Sequence, residues 1–158
     1  MRRISANLRQ VSTVNTPKLQ FPADVLQLPD GKVVIADKLN HCVHVGAEKG
    51  PWTSVPDMGD PGVLLIMPGG DAVLVVDHAS RELKLLTLAT LAVEALPLPP
   101  AGLGVAPLHI TSGATDATGL VVADKANKRL WRLTVTRDSA GHLAAQTAPI
   151  AMQLTSSR

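Results

Sequence analysis

The amino-acid sequence predicts an all-β protein, a partial β-propeller of three four-stranded antiparallel blades. A cassette of about fourteen residues recurs three times, with its acidic residue at Asp37, Asp77 and Asp124, 40 and then 47 positions apart. Periods in this range belong to propeller blades. Each copy opens on a short continuous apolar run, as expected of a strand covered on both faces by stacked sheets. Twelve glycines and twelve prolines among 158 residues supply the turns that many short strands need.

The three copies are Lys32–Val45, Ala72–Leu85 and Gly119–Arg132. In each, an aliphatic run ends on the Asp, two variable residues follow, and then comes Asn40, Ser80 or Asn127. Short carboxylate, amide and hydroxyl side chains bond backbone N–H groups close by in sequence. Asp37, Asn40, Asp77, Ser80, Asp124 and Asn127 are therefore expected to pin the turn between a blade's second and third strands. The third strand alternates, which places Val43 and Val45, and Leu83 and Leu85, inward, with His44 and Lys84 outward. Arg132 falls where the third copy should carry an inward aliphatic residue.

Each cassette is preceded by an apolar segment and a turn: Pro22–Leu28 before Pro29-Asp30-Gly31, Pro61–Met67 before Pro68–Asp71, and Pro107–Ser112 before Gly113–Thr118. An outer strand is expected after each, at Trp52–Val55, Leu91–Leu96 and His142–Thr147. The blades then occupy about 22–56, 61–97 and 107–148, within a repeat region of 21–148. Residues 1–20 form a basic arm or an extra edge strand over Leu8–Val14, with Arg2, Arg3 and Arg9 as candidate contacts. Residues 149–158 form a tail that can reach a partner.

The cassette resembles the NHL-repeat family, whose signature is a glycine, an aliphatic strand, Asp, two residues, Asn-His-Arg and an alternating strand. Asp30-Gly31 through Val45 matches it most closely, including Asn40-His41. The second copy departs with Ser80-Arg81-Glu82, and the third has Asn127-Lys128-Arg129. The resemblance implies a propeller fold and carries little about activity, because propellers host many unrelated functions.

Composition narrows the field. Apolar residues make up 46% of the chain and charged residues 18%, a globular balance with an aliphatic core, since Phe21, Trp52 and Trp131 are the only aromatics. The single Cys42 excludes an internal disulfide and a cysteine-rich zinc site. No apolar run is long enough to span a bilayer, and the N-terminus lacks the apolar core of a secretory signal. An intracellular protein is expected, cytoplasmic or, given the Arg-rich, acid-free first twenty residues, mitochondrial.

No constellation specifies a reaction. Asp37 with His41 and Asp77 with His78 are paired acids and imidazoles, yet an Asp that recurs in every copy is expected of a structural turn. Gly69-Gly70 and Gly102-Leu103-Gly104 lie between strand-like segments rather than ahead of a helix, so they read as turns and not phosphate loops. No cofactor or metal is expected. The strongest binding candidate is Lys125, Lys128, Arg129, Trp131 and Arg132, basic residues for phosphate contacts with Trp131 as a stacking platform for RNA.

Three blades leave two open sheet faces, against a usual four to eight blades in a closed ring. The expected function is a non-catalytic interaction or scaffold subunit of a larger complex, with protein partners covering those faces. The alternative is a homodimeric six-bladed ring with a small ligand, or hydrolase- or lyase-like chemistry, at its axis. RNA binding through the basic face is the third reading.

Overall fold

The computed structural model describes residues 2–4, 11–99, 108–116 and 118–150. Strands β1 (Arg2–Ile4) and β2 (Val11–Thr13) pair with each other as a separate two-stranded sheet. Of the anticipated edge strand over Leu8–Val14, Val11–Thr13 pairs with β1, and residues 8–10 lie outside the described residues.

Three four-stranded antiparallel meanders follow, each in simple sequence order. The first contains β3 (Pro22–Gln27), β4 (Val33–Asp37), β5 (Cys42–Gly46) and β6 (Trp52–Val55). The second contains β7 (Pro61–Ile66), β8 (Ala72–Asp77), β9 (Glu82–Thr87) and β10 (Val93–Pro97). The third contains β11 (Ile110–Asp116), β12 (Gly119–Asp124), β13 (Arg129–Arg137) and β14 (Leu143–Pro149). The β-branched and aliphatic runs before each Asp become the second strand of each sheet, where side chains on both faces are covered.

Sequence and structure part at Gly113. It was expected to open a turn after Ser112, but β11 continues through it to Asp116. A Cβ there would lie 2.7 Å from Leu65 Cδ2 and 2.8 Å from the Val121 carbonyl oxygen, so the missing side chain lets the second and third sheets approach. Across the same junction Thr115 Oγ1 donates to the Ile66 carbonyl, and at the first junction the Leu64 N–H donates to Asp24 Oδ2 at 2.8 Å.

The sheets stack through two apolar layers. Val34, Ala36, Val43 and Val45 of the first sheet meet Leu64, Val73, Val75 and Leu86 of the second. Leu74, Val76, Leu83 and Leu85, on the other face of the second sheet, meet Leu120, Val122, Trp131 and Leu133 of the third. Alternation along each strand thus sends one set of side chains to the preceding sheet and the other to the following one. That corrects the expectation for His44 and Lys84. Both are buried, because a stacked sheet has no solvent side at its centre.

The repeat gives a matched pair for testing this stacking. Leu83 and Leu130 occupy the same cassette position, but Leu83 is fully buried and Leu130 only half-buried. Leu83→Ala is expected to cost about 2–5 kcal/mol and Leu130→Ala under about 1.5 kcal/mol in urea denaturation. Equal costs would show that something covers the third sheet as fully as the second.

Candidate functional site

The recurring Asp is the best-connected side chain of each sheet. Asp37, Asp77 and Asp124 are all nearly inaccessible, at 0%, 1% and 2% exposure. Each carboxylate accepts bonds from three directions. From the segment entering the first strand come the N–H groups of Phe21 (2.8 Å), Asp60 (2.9 Å) and His109 (3.0 Å). From the turn come Asn40 Nδ2 (2.6 Å), Ser80 Oγ (2.7 Å) and Asn127 Nδ2. From the third strand comes the residue seven positions on: His44 Nε2 (3.4 Å), Lys84 Nζ (3.0 Å) and Trp131 Nε1 (3.0 Å).

These donors set the acidity. Burial pushes all three carboxyl groups up, but hydrogen bonds outweigh it and hold each below the ordinary carboxylate range. For Asp37 the leading donors are the Phe21 and Gln20 N–H groups; for Asp77, the Asp60 N–H, Ser80 and Lys84; for Asp124, the Asn127 side chain, the His109 N–H and Trp131. A saturated carboxylate of this kind is a poor general base. The pairing of Asp37 with His41 or Asp77 with His78 does not form. His41 Nδ1 instead meets the Gly59 carbonyl at 2.6 Å, and His78 Nε2 meets the Ile110 carbonyl at 2.8 Å.

One feature of the turn was not legible in residue types. The residue four positions after each Asp adopts a left-handed backbone: His41 (φ 52°), Arg81 (φ 58°) and Lys128 (φ 53°). Glycine or asparagine would announce such a position, but all three copies use a long or ring-bearing side chain.

The expected basic patch is divided. Lys125, Lys128 and Arg129 are exposed around the third turn. Trp131 is 3% exposed and faces the second sheet, with its indole N–H on Asp124, so the stacking platform expected of it is absent. Arg132 lies on the opposite face, half-exposed, and pairs with Asp116 at 3.0 Å. Arg2 and Arg3 lie on β1, and Arg9 falls outside the described residues. Among the described residues, no group of His, Cys, Asp and Glu is arranged to hold a metal ion. None of their helices is long and apolar enough to cross a membrane.

The two ends of the stack differ. At the first sheet, Ile35, Cys42 and His44 are buried on the Asp37-bearing face. The chain's own residues 14–20 run past that face. Val14 is buried, the Asn15 carbonyl accepts Trp52 Nε1 at 2.7 Å, the Lys18 carbonyl accepts Asn40 Nδ2 at 3.1 Å, and the Gln20 N–H reaches Asp37. At the third sheet nothing among the described residues covers the outer face. Val63, Leu65, Leu74, Val76 and Leu85 of the second sheet correspond by register to Ser112, Ala114, Val121, Ala123 and Arg132 of the third. The former are buried, and the latter are exposed or half-exposed.

Between the second and third sheets a cleft of about 360 Å³ opens on the side of the Asp turns. Val76, Leu98, Leu108 and Ile110 give it apolar walls, and Arg81, His78 and His109 stand at its rim. The two imidazole rings are 5.5 Å apart and inclined at 56°. His78 fits because Gly62 has no side chain, since a Cβ there would lie 2.3 Å from the ring.

No family model matches the sequence, and no curated protein matches it. Solved structures do match in fold. Virginiamycin B lyase from Staphylococcus aureus superposes with a TM-score of 0.68 at 15% identity, over 96% of this chain and 49% of the lyase. An auxiliary nutrient-binding protein from Bacteroides ovatus gives 0.68 at 14% identity, over 96% of this chain and 36% of that one. Hydrazine synthase of Kuenenia stuttgartiensis gives 0.53 at 11% identity, over 87% and 48%. At these identities the likeness is one of fold alone, and the chain spans half or less of each neighbour's length. Three stacked meanders that match part of larger propeller proteins make this chain a partial β-propeller.

The Asp junctions predict an acid-labile stack. A carboxyl group depressed in the folded state stabilises it above the ordinary carboxylate pKa of about 3.9, and that contribution is lost as pH falls through the folded value. Urea midpoints are expected to hold steady from about pH 7 to 5 and to fall steeply below about pH 4. Asp77→Asn should flatten that fall and cost about 3 kcal/mol at neutral pH, because it leaves Lys84 buried beside a neutral amide. A flat profile down to pH 2 would remove the junctions from the account.

Proposed function

We propose that this chain is a non-catalytic interaction subunit, part of an NHL-like propeller whose open third-sheet face is covered by a protein partner. One observation carries the reading. The cassette positions buried between sheets in the first two copies are exposed or half-exposed in the third. The face contains Val121, Ala123 and Leu130, with the Arg132–Asp116 pair beside them. Its side chains are smaller and more polar than those of the second sheet, so the free chain exposes little apolar bulk. A matching partner supplies large aliphatic side chains against the small residues, and a specific contact of this kind should bury more than about 1,000 Å². The cassette Asp30-Gly31 to Asn40-His41 supports the NHL affinity, while the second and third copies deviate from it.

A second reading rests on length. The chain covers 49% of a lyase with a propeller fold, so two copies would supply six blades. In a two-fold ring the open third sheet of one copy must meet the first sheet of the other. Residues 14–20 already occupy part of that first face, which favours a different partner over a second copy. RNA binding is the weakest of the readings, because Trp131 is buried.

Multi-angle light scattering on the purified chain is expected to give concentration-dependent association with no discrete dimer, and Leu130→Glu should suppress it. A discrete stable dimer would overturn the partner reading, and its loss in Leu130→Glu would point to the two-fold ring.

A further inference from the structure

The cleft between the second and third sheets opens on the side of the Asp turns, away from the open face of the third sheet. We propose that it binds a small amphipathic monocarboxylate, an acid group carried on a short hydrocarbon tail. A volume of about 360 Å³ is at the lower end of small-molecule sites. Half-buried Leu98 and the edge of Leu108 offer the tail an apolar lining, with the fully buried Val76 and Ile110 beneath them. The one acid in the lining, Asp77, is committed to the Asp60, Ala79 and Ser80 N–H groups, Ser80 Oγ and Lys84 Nζ, so its charge is answered within the fold.

Arg81 supplies the recognition element. Its side chain has no carboxylate partner among the described residues. Its backbone is held in a left-handed turn at φ 58°, and its carbonyl accepts the Leu98 N–H at 3.3 Å, which anchors the residue to the wall of the cleft. A guanidinium presents paired donors that fit the two oxygens of a carboxylate. His109 adds a ring nitrogen at the same rim, while His78 is committed to the Ile110 carbonyl. One guanidinium at the rim of an apolar pocket suits a singly charged head with an apolar body. A dianionic phosphate would demand more donors than the rim carries.

The test is a titration of the full chain with octanoate, octanamide and inorganic phosphate, followed by amide chemical-shift mapping. Octanoate is expected to bind saturably with a Kd below about 1 mM, and to shift Arg81, Leu98, His109 and Ile110. Octanamide and phosphate should each bind at least about tenfold more weakly, and Arg81→Gln should lower octanoate affinity by a similar factor without moving the melting temperature. Arg81→Lys, which keeps the charge and loses the fork, should fall between. No saturable binding, equal affinity for octanoate and octanamide, or shifts confined to the open face of the third sheet would overturn the assignment. Partner binding at that open face is read separately by light scattering, so either conclusion can fail while the other stands.

Discussion

A buried carboxylate that must be saturated with donors is the constraint around which each sheet is arranged. Removing an ionised acid from water is unfavourable by several kcal/mol unless hydrogen bonds and charge replace the lost hydration. In this fold the replacements come from three separate stretches of chain: the entry to the first strand, the turn after the second, and a residue seven positions along the third. Satisfying the acid therefore fixes how those strands sit relative to one another. The third-strand donor differs in every copy, His44, Lys84 or Trp131, while its geometric role stays the same. An imidazole, an ammonium and an indole share only the ability to donate a hydrogen bond from the end of a long side chain.

That junction also explains why the sheets stack. With the Asp and its donors directed to one face, the other face of the second and third strands is left to aliphatic residues in the first two sheets, while in the third it also carries Arg132. Successive sheets bury one kind of face against the other, in two layers rich in Val and Leu. Inner strands approach closely enough that Gly113 cannot carry a side chain, and Thr115 and Asp24 bond across the gaps. The outer edge of the second junction is tied by Arg137 and Glu94 at 2.6 Å, an exposed pair that adds little stability. At the first sheet the chain's own residues 14–20 lie along the face. At the third sheet nothing in the described chain does so, and side chains shrink from Leu65 and Leu74 to Ala114 and Val121.

The repeat and the identity of the turn residues were legible because both rest on local chemistry: a run of strand-forming residues, then short side chains that bond nearby backbone. The candidate sites were much less so. Arg132 and Trp131 are neighbours in sequence and look like one basic-aromatic patch, yet consecutive strand residues face opposite ways, so one is open to solvent and the other is sealed on Asp124. His78 and His109, 31 positions apart in sequence, share a rim that no spacing rule anticipates.

By itself the sequence determined the class of fold, the number of four-stranded sheets, the acid that organises each one and the close placement of most of their strands. These follow from short-range periodicity and turn chemistry, which act over a few residues. Only the tertiary structure decided which face each side chain serves, that His44, Lys84 and Trp131 are donors to a buried carboxylate, that Gly113 is a contact point instead of a turn, and that a cleft joins Arg81 to Leu108. Those depend on how one sheet lies upon the next, and packing between segments forty residues apart leaves no periodic trace in either of them.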